Sequence, residues 1–196
     1  MHHLTVKSRR KLVLASSSPR RKDILSSVFS EFVIDPPRNP EKPLDGAVAP
    51  AAAVLALAKD KAEEVALRHD NALVIGCDTC VWTGSLVGKP ADRGEAEEML
   101  KQLSGVTHKV FSGLWVVDTL TKESRHAVEE TDVSFDDLSD EDIEFLLSSE
   151  EYIGKAGGYA IQGLTGLFIR GIKGDYNNVV GLPLHTLYRL LKELGM

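Results

Sequence analysis

Leu12-Val-Leu-Ala-Ser-Ser-Ser-Pro-Arg-Arg-Lys-Asp-Ile-Leu25 is the stretch that decides how this chain folds. The apolar run Leu12 to Ala15 predicts a strand buried on both faces. Ser18 is a good N-cap and Pro19 is pre-set for a first helical position. Ile24, Leu25 and Val28 then recur at helical spacing. The reading is strand, tight loop, helix start. Such a helix start offers unpaired backbone N–H groups and the positive end of a dipole, here beside three serines, Arg20 and Arg21. Those groups suit a phosphate chain. A capped helix with two solvated arginines is the plainer alternative.

Outward from that stretch, residues 35–46 are rich in proline and turn residues and predict a loop. Ala51 to Leu67 has a helical composition. Leu73 to Ile75 predicts a second buried strand. Glu95 to Leu103 is an amphipathic helix through Ala96, Met99, Leu100 and Leu103. Val110 to Val117 predicts a third strand, and Thr131, Val133 and Phe135 alternate with polar residues as a strand with one wet face. Ser139, with Asp142 three residues on, predicts a capped helix. Tyr159 to Ile172, glycine-punctuated and β-branched, predicts a hairpin, and Leu184 to Leu194 a closing helix. Early alternation of strands and helices, then clustered strands, predicts a mixed α/β fold. We expect a mixed sheet flanked by helices, with a cleft between two lobes. Residues 12–196 read as a single domain after an N-terminal extension, 1–11.

The composition narrows the function. With 196 residues there is room for a real core, and 43% hydrophobic and 27% charged residues are ordinary for a globular enzyme. A formal net charge of −6 opposes general nucleic-acid binding and implies that the useful cations are concentrated locally. The longest apolar run, Ala47 to Ala58, is too short to span a membrane and contains Pro50. No signal peptide is evident, so a cytoplasmic protein is expected. Cys77 and Cys80 form a C-x-x-C without a second ligand pair for zinc. Buried small hydrophobes are the main reading, and a redox pair is the minor one.

Four places could carry chemistry. Lys61 lies within the apolar stripe of Val54, Ala58, Ala62 and Val65, so it must snorkel or enter a polar cleft. Asp78 is read as sitting just past the end of a buried strand, where α/β ligand sites gather. It could hold Mg²⁺ or deprotonate a water, or simply close an Asx-turn. Thr79 adds a hydroxyl beside it. Lys89, before Pro90, is fixed in an extended segment and could meet a phosphate oxygen or face solvent. In Lys155-Ala-Gly-Gly-Tyr-Ala-Ile-Gln-Gly163 the glycines permit close backbone approach, and the Gln162 amide could read a base edge or be structural. His108 and His185 invite no role. Neither a Walker A nor a dinucleotide glycine pattern is present.

Taken together these motifs resemble one family. Ala15-Ser-Ser-Ser-Pro-Arg-Arg21, Lys61-Ala62, Val74-Ile-Gly-Cys-Asp-Thr79, Gly88-Lys-Pro90, Leu103-Ser-Gly-Val-Thr-His108, the Lys155–Gly163 run and Asn178-Val-Val-Gly-Leu-Pro-Leu184 follow the order of the Maf family, from Leu12 to the C-terminus. That family comprises nucleoside triphosphate pyrophosphatases, also described as septum-formation inhibitors, with a fold similar to inosine triphosphate pyrophosphatases. The resemblance implies phosphate contacts at Ser16, Ser18, Arg20 and Arg21. It implies a catalytic group of Lys61, Asp78 and Lys89, with Asp78 as proton acceptor, and a base-reading Gln162. Arg20, Thr79 and Gln162 match the branch that prefers dTTP, UTP and related pyrimidine nucleotides. The implied cofactor is Mg²⁺ or Mn²⁺, held by Asp78 and by an acidic loop residue that falls on Glu41. The implied partners are the nucleotide and a second copy of the chain. Cys77, Asp23 and Gly154 depart from the family's usual Ala or Ser, Glu, and Asp. The last departure leaves fine substrate preference open. A nucleotide-binding regulator of cell division that does not cleave its ligand is the alternative reading.

Overall fold

The computed structural model describes residues 10–40 and 48–196. Its first strand, β1 (Lys11–Leu14), is short because three serines follow it, and its last three residues are buried. Helix α1 (Pro19–Ser26) starts at the Ser18 cap, whose side chain accepts from the Arg21 N–H. A two-residue strand, β2 (Val33–Ile34), follows. Then come α2 (Pro50–Ala66), β3 (Ala72–Trp82), β4 (Leu86–Val87), α3 (Arg93–Leu103), β5 (Thr107–Asp118) and β6 (Ser124–Phe135). Helix α4 (Asp140–Ser148) begins with the full capping box of Ser139 and Asp142. Strand β7 (Ile169–Lys173) and helices α5 (Tyr176–Val180) and α6 (Leu184–Glu193) complete the chain.

The sheet runs β2-β1-β3-β5-β6-β7, with β4 on the outer edge of β3. The β2-β1-β3 pairs are parallel and the β3-β5-β6-β7 pairs antiparallel. Mixed α/β architecture is therefore observed. Strands β3, β5 and β6 have 11, 12 and 12 residues, long enough to carry two cores on one face. At one end Leu14, Leu25, Ile75 and Leu114 pack under Leu187 and Leu191 of α6. At the other end Val81, Val110, Val133 and Phe135 pack under Met99 and Leu103 of α3. Each fully buried leucine contributes about 1.5–3 kcal/mol. A cleft separates the two blocks.

Helix α2 covers the opposite face and sits very low on it. A Cβ on Gly76 would lie 2.1 Å from the Ala58 carbonyl oxygen, and one on Gly113 would lie 2.5 Å from the Val54 carbonyl. Glycine at both crossings lets helix backbone rest on strand backbone.

Two expectations are corrected. The run seen as Leu73–Ile75 is the start of β3, which continues to Trp82 because Cys77, Cys80 and Val81 are buried on its two faces. Asp78 and Thr79 are thus interior strand residues. The Tyr159–Ile172 segment is not a hairpin. Within it the Ala160 carbonyl accepts from the Gly163 N–H and the Gly163 carbonyl from the Gly166 N–H, both at 3.0 Å, so the glycines close tight turns instead of a ladder. A short 3₁₀ helix covers Leu164–Phe168, and only Ile169–Lys173 pairs, with β6.

Candidate active site

The site lies where β1 stops and β3 does not. The β1 ladder ends at Leu14 opposite Ile75, and the Ala15 N–H donates to the Ile75 carbonyl at 2.8 Å. The β4 ladder begins only at Val81. Between them, residues 76–80 of β3 have no strand on that side among the described residues. Side chains alternate across this open edge. Asp78 therefore joins Gly76 on the α2 face, and Thr79 points to the α1 face. Both line a cleft of about 960 Å³, a size that encloses a small-molecule ligand.

On the α2 face, the close crossing at Gly76 runs through Ala58 and Ala62. That brings Lys61, one position before Ala62, over Asp78, with Nζ 2.5 Å from the carboxylate Oδ1. Their side chains are only 14% and 8% exposed. The lysine in an apolar stripe thus enters a polar cleft instead of snorkelling to bulk water.

On the α1 face, Ser16 Oγ accepts from the Ser18 N–H at 3.2 Å and from Arg21 at 3.3 Å. A hydroxyl used as acceptor in this way keeps its own O–H to donate. The two arginines differ sharply. Arg21 gives Nε to the Gly181 carbonyl at 2.9 Å and a terminal nitrogen to Thr79 Oγ1 at 3.1 Å, besides its bond to Ser16. Thr79 Oγ1 also bonds Ser112 Oγ at 2.8 Å. Arg20 lines the cleft half-buried, with no hydrogen-bond acceptor among the described residues. Burial, and then the Arg21 charge, hold its guanidinium below the ordinary arginine range.

The other wall is loop. Lys89 follows β4 and lines the cleft. The Gly88 carbonyl accepts from the Gly157 N–H at 2.8 Å, which ties the Lys89 segment to the glycine-rich one. Lys155, Tyr159 and Gln162 line the same wall, with Gln162 exposed to the cleft. Burial, and then Arg20, hold the Lys155 ammonium below its usual range. The cleft therefore gathers Ser16, Ser18, Arg20, Arg21, Lys61, Asp78, Thr79, Lys89 and Gln162. Glu41 lies outside the described residues.

Comparison with known proteins gives the chain a family. The model of the Maf-like proteins covers residues 11–194. The chain belongs to the Maf-like family. Two curated relatives of this Maf-like chain bear the name dTTP/UTP pyrophosphatase. One, from Pelotomaculum thermopropionicum, is 46% identical across 95% of this chain and 97% of its own. The other, from Latilactobacillus sakei, is 44% identical across 92% and 99%. A solved dITP/XTP pyrophosphatase from Mycobacterium abscessus superposes with a TM-score of 0.46 at 16% identity, over 95% of this chain and 98% of that one.

Two features of the Maf-like cleft were not singled out from sequence. Lys155 heads the glycine-rich run, but nothing in that run marks the lysine itself until the fold sets it beside Arg20. The near burial of Lys61 needs Gly76, whose role is visible only at the helix crossing. The C-x-x-C, in turn, is not a redox pair. Cys77 packs with Ile75 and Leu114 on one face of β3, whereas Cys80 packs with Val54 and Phe111 on the other. Burial, and then the Asp78 charge, push the Cys80 thiol up to about 12. Burial chiefly raises Cys77 as well. Neither is a thiolate at neutral pH.

Proposed function

We propose that this protein hydrolyses nucleoside triphosphates between the α and β phosphates, releasing the monophosphate and pyrophosphate, with dTTP and UTP as preferred substrates. The observation that carries the reading is the buried Lys61–Asp78 pair on the open edge of β3. It shares one cleft with Arg20, Lys89 and Lys155. An acid and several cations lining one cleft are what phosphoryl transfer needs: a positioned water and offset charge. The names of the curated relatives support the choice of dTTP and UTP.

In this reading Asp78 orients a water against the α phosphorus and takes its proton. The water oxygen bonds to that phosphorus as the α–β bridging bond breaks, and pyrophosphate leaves with the electron pair. Lys61, 2.5 Å from Asp78, fixes the carboxylate and stands close enough to meet the same phosphoryl group. Arg20, Lys89 and Lys155 offset charge growing on the leaving pyrophosphate. Ser16 and Ser18 donate their hydroxyl protons to phosphate oxygens. Arg21 serves mostly from behind, holding Ser16 and Thr79 in place.

The donor set suits a divalent cation that arrives with the nucleotide. Mg²⁺ commonly takes one or two carboxylates plus substrate phosphates. Asp78 offers a carboxylate, and among the described residues no group of three His, Cys, Asp or Glu side chains makes a cage of its own. Asp78 would hold Mg²⁺ or Mn²⁺, which would supply charge neutralisation and a more acidic water.

The test is a panel of triphosphates assayed with Mg²⁺ for pyrophosphate. We expect dTTP and UTP to give monophosphate and pyrophosphate in equal amounts. Tight nucleotide binding without pyrophosphate would replace this reading with that of a non-cleaving nucleotide-binding regulator. Release of orthophosphate would move the cut to the γ phosphate.

A further inference from the structure

We propose that His108 and Tyr159 are a positioning pair: the hydrogen bond between them sets where the Lys155–Gln162 segment stands over the cleft, and so sets affinity for the nucleotide. The inference rests on the nucleotide-hydrolase reading above.

The segment needs such a device. Gly154, Gly157 and Gly158 have φ of 69°, 73° and 68°, conformations that glycine enters freely and leaves freely. Its path is not set by a sheet ladder. It is pinned at Gly157 by the Gly88 carbonyl, 2.8 Å, and just beyond its end by Leu164 N–H to Glu151, 2.8 Å. Between these, Tyr159 Oη lies 2.7 Å from His108 Nε2 on β5. Among the described residues this is the one side-chain hydrogen bond that the segment makes to a strand. Tyr159 is 6% exposed and His108 1%. Their rings meet edge-on at 5.4 Å, and Phe135 closes against both.

Packing alone does not explain a histidine there. Nδ1 is buried with no partner among the described residues, a cost that a leucine of similar volume would not incur. What the imidazole adds is Nε2, and Nε2 faces Tyr159. Tyr159 lines the cleft between Lys155 and Gln162. Losing the bond frees the wall that carries both, while Asp78 and Lys61 stay seated on β3 and α2.

The experiment compares Tyr159→Phe, His108→Leu, His108→Gln and the double variant Tyr159→Phe/His108→Leu. Each is assayed for KM and kcat with UTP, and for Kd with a non-hydrolysable UTP analogue. Tyr159→Phe keeps the ring and removes only the hydroxyl, so it retains the fold. It should raise KM and Kd about three- to tenfold, the worth of one neutral hydrogen bond, with kcat changed less than KM. His108→Leu should match it. His108→Gln, which keeps an N–H near the Nε2 position, should recover part of the loss. The double variant should be no worse than either single one. A lower Tm with KM and Kd unchanged would overturn the proposal, as would additive losses in the double variant. If the wild type releases no pyrophosphate from any triphosphate, the hydrolase reading fails; the Kd series still decides the pairing.

Discussion

The two walls of the cleft are built in opposite ways. One is regular structure: Asp78 inside an eleven-residue strand, Lys61 on a 17-residue helix, and helix backbone resting on two glycines. The other is loop: Lys89 after a two-residue strand, then left-handed glycines, Lys155, Tyr159 and Gln162. The first wall can hold a proton acceptor to within a fraction of an ångström, because moving Asp78 means moving the sheet. The second wall can be retuned by a few hydrogen bonds. In the proposed mechanism the proton acceptor sits on the rigid side and the base-reading amide on the adjustable side, so damage to Asp78 should show in kcat and damage to Gln162 or its supports in KM.

The sharpest way to break this comparison is Asp78→Ala. Nucleotide affinity should persist, because Arg20, Lys89 and Lys155 remain, while kcat falls by about two orders of magnitude or more, the scale of a lost general base. Pyrophosphate release under saturating UTP measures it. Undiminished turnover would remove Asp78 from the mechanism.

A second test asks what acid does to the loop wall. Burial holds the His108 imidazole down to about 4, against an ordinary value near 6.5. Between those values the unfolded chain binds a proton that the folded chain does not. This contribution to stability is therefore complete above about pH 6.5 and is lost as pH falls toward 4, on the order of 3 kcal/mol at the low end. Urea unfolding at pH 7 and pH 4.5 should show a smaller drop for His108→Gln than for wild type. Equal drops would place the acid sensitivity elsewhere.

How much of this was legible in the sequence follows the same division. Ser18, Pro19 and the buried run before them encode strand, cap and helix within a few residues, and all three form as read. The amphipathic stripe of α2 identified Lys61 as an inward lysine, because periodicity is local. The end of β3 was not legible. A strand buried on both faces shows no alternation, and nothing local marks Gly76 as the contact surface for Ala58 and Ala62 that it is. The glycines of the Tyr159–Ile172 run misled in the same manner, since a hairpin and a succession of tight turns share a composition. Arg20 and Arg21 are adjacent and chemically alike. Only the fold, by bringing the Gly181 carbonyl and Thr79 to Arg21, tells the arginine tied to the protein from the one proposed to meet the nucleotide.

Gly76→Ala sharpens the comparison from the rigid side. Its Cβ would fall 2.1 Å from the Ala58 oxygen, so α2 must lift, at a cost of about 1–3 kcal/mol for overpacking. Lys61 rises with the helix while Asp78 stays. Thermal unfolding should register the lost stability, and kcat should fall more than KM rises. A variant with normal Tm and normal kcat would mean that α2 yields at the crossing without disturbing Lys61.

Gln162→Ala is the smallest test and the most selective. The amide stands exposed on the loop wall, on a different element from the Asp78 carboxylate and Lys61. A primary amide offers one acceptor and two donors side by side. The uracil and thymine edges offer an N–H beside a carbonyl oxygen, a matching pair. By itself, though, an amide that turns over would match cytosine as well, so discrimination depends on what holds Gln162 in one orientation, and that is the path of the loop. Removing the side chain should therefore raise KM for UTP and dTTP about tenfold, toward the low end for a two-bond contact because the group is exposed. It should leave kcat nearly as it was. A fall in kcat of the same size would show that base recognition and phosphate chemistry are coupled across the cleft, and the separation of the two walls would not survive it.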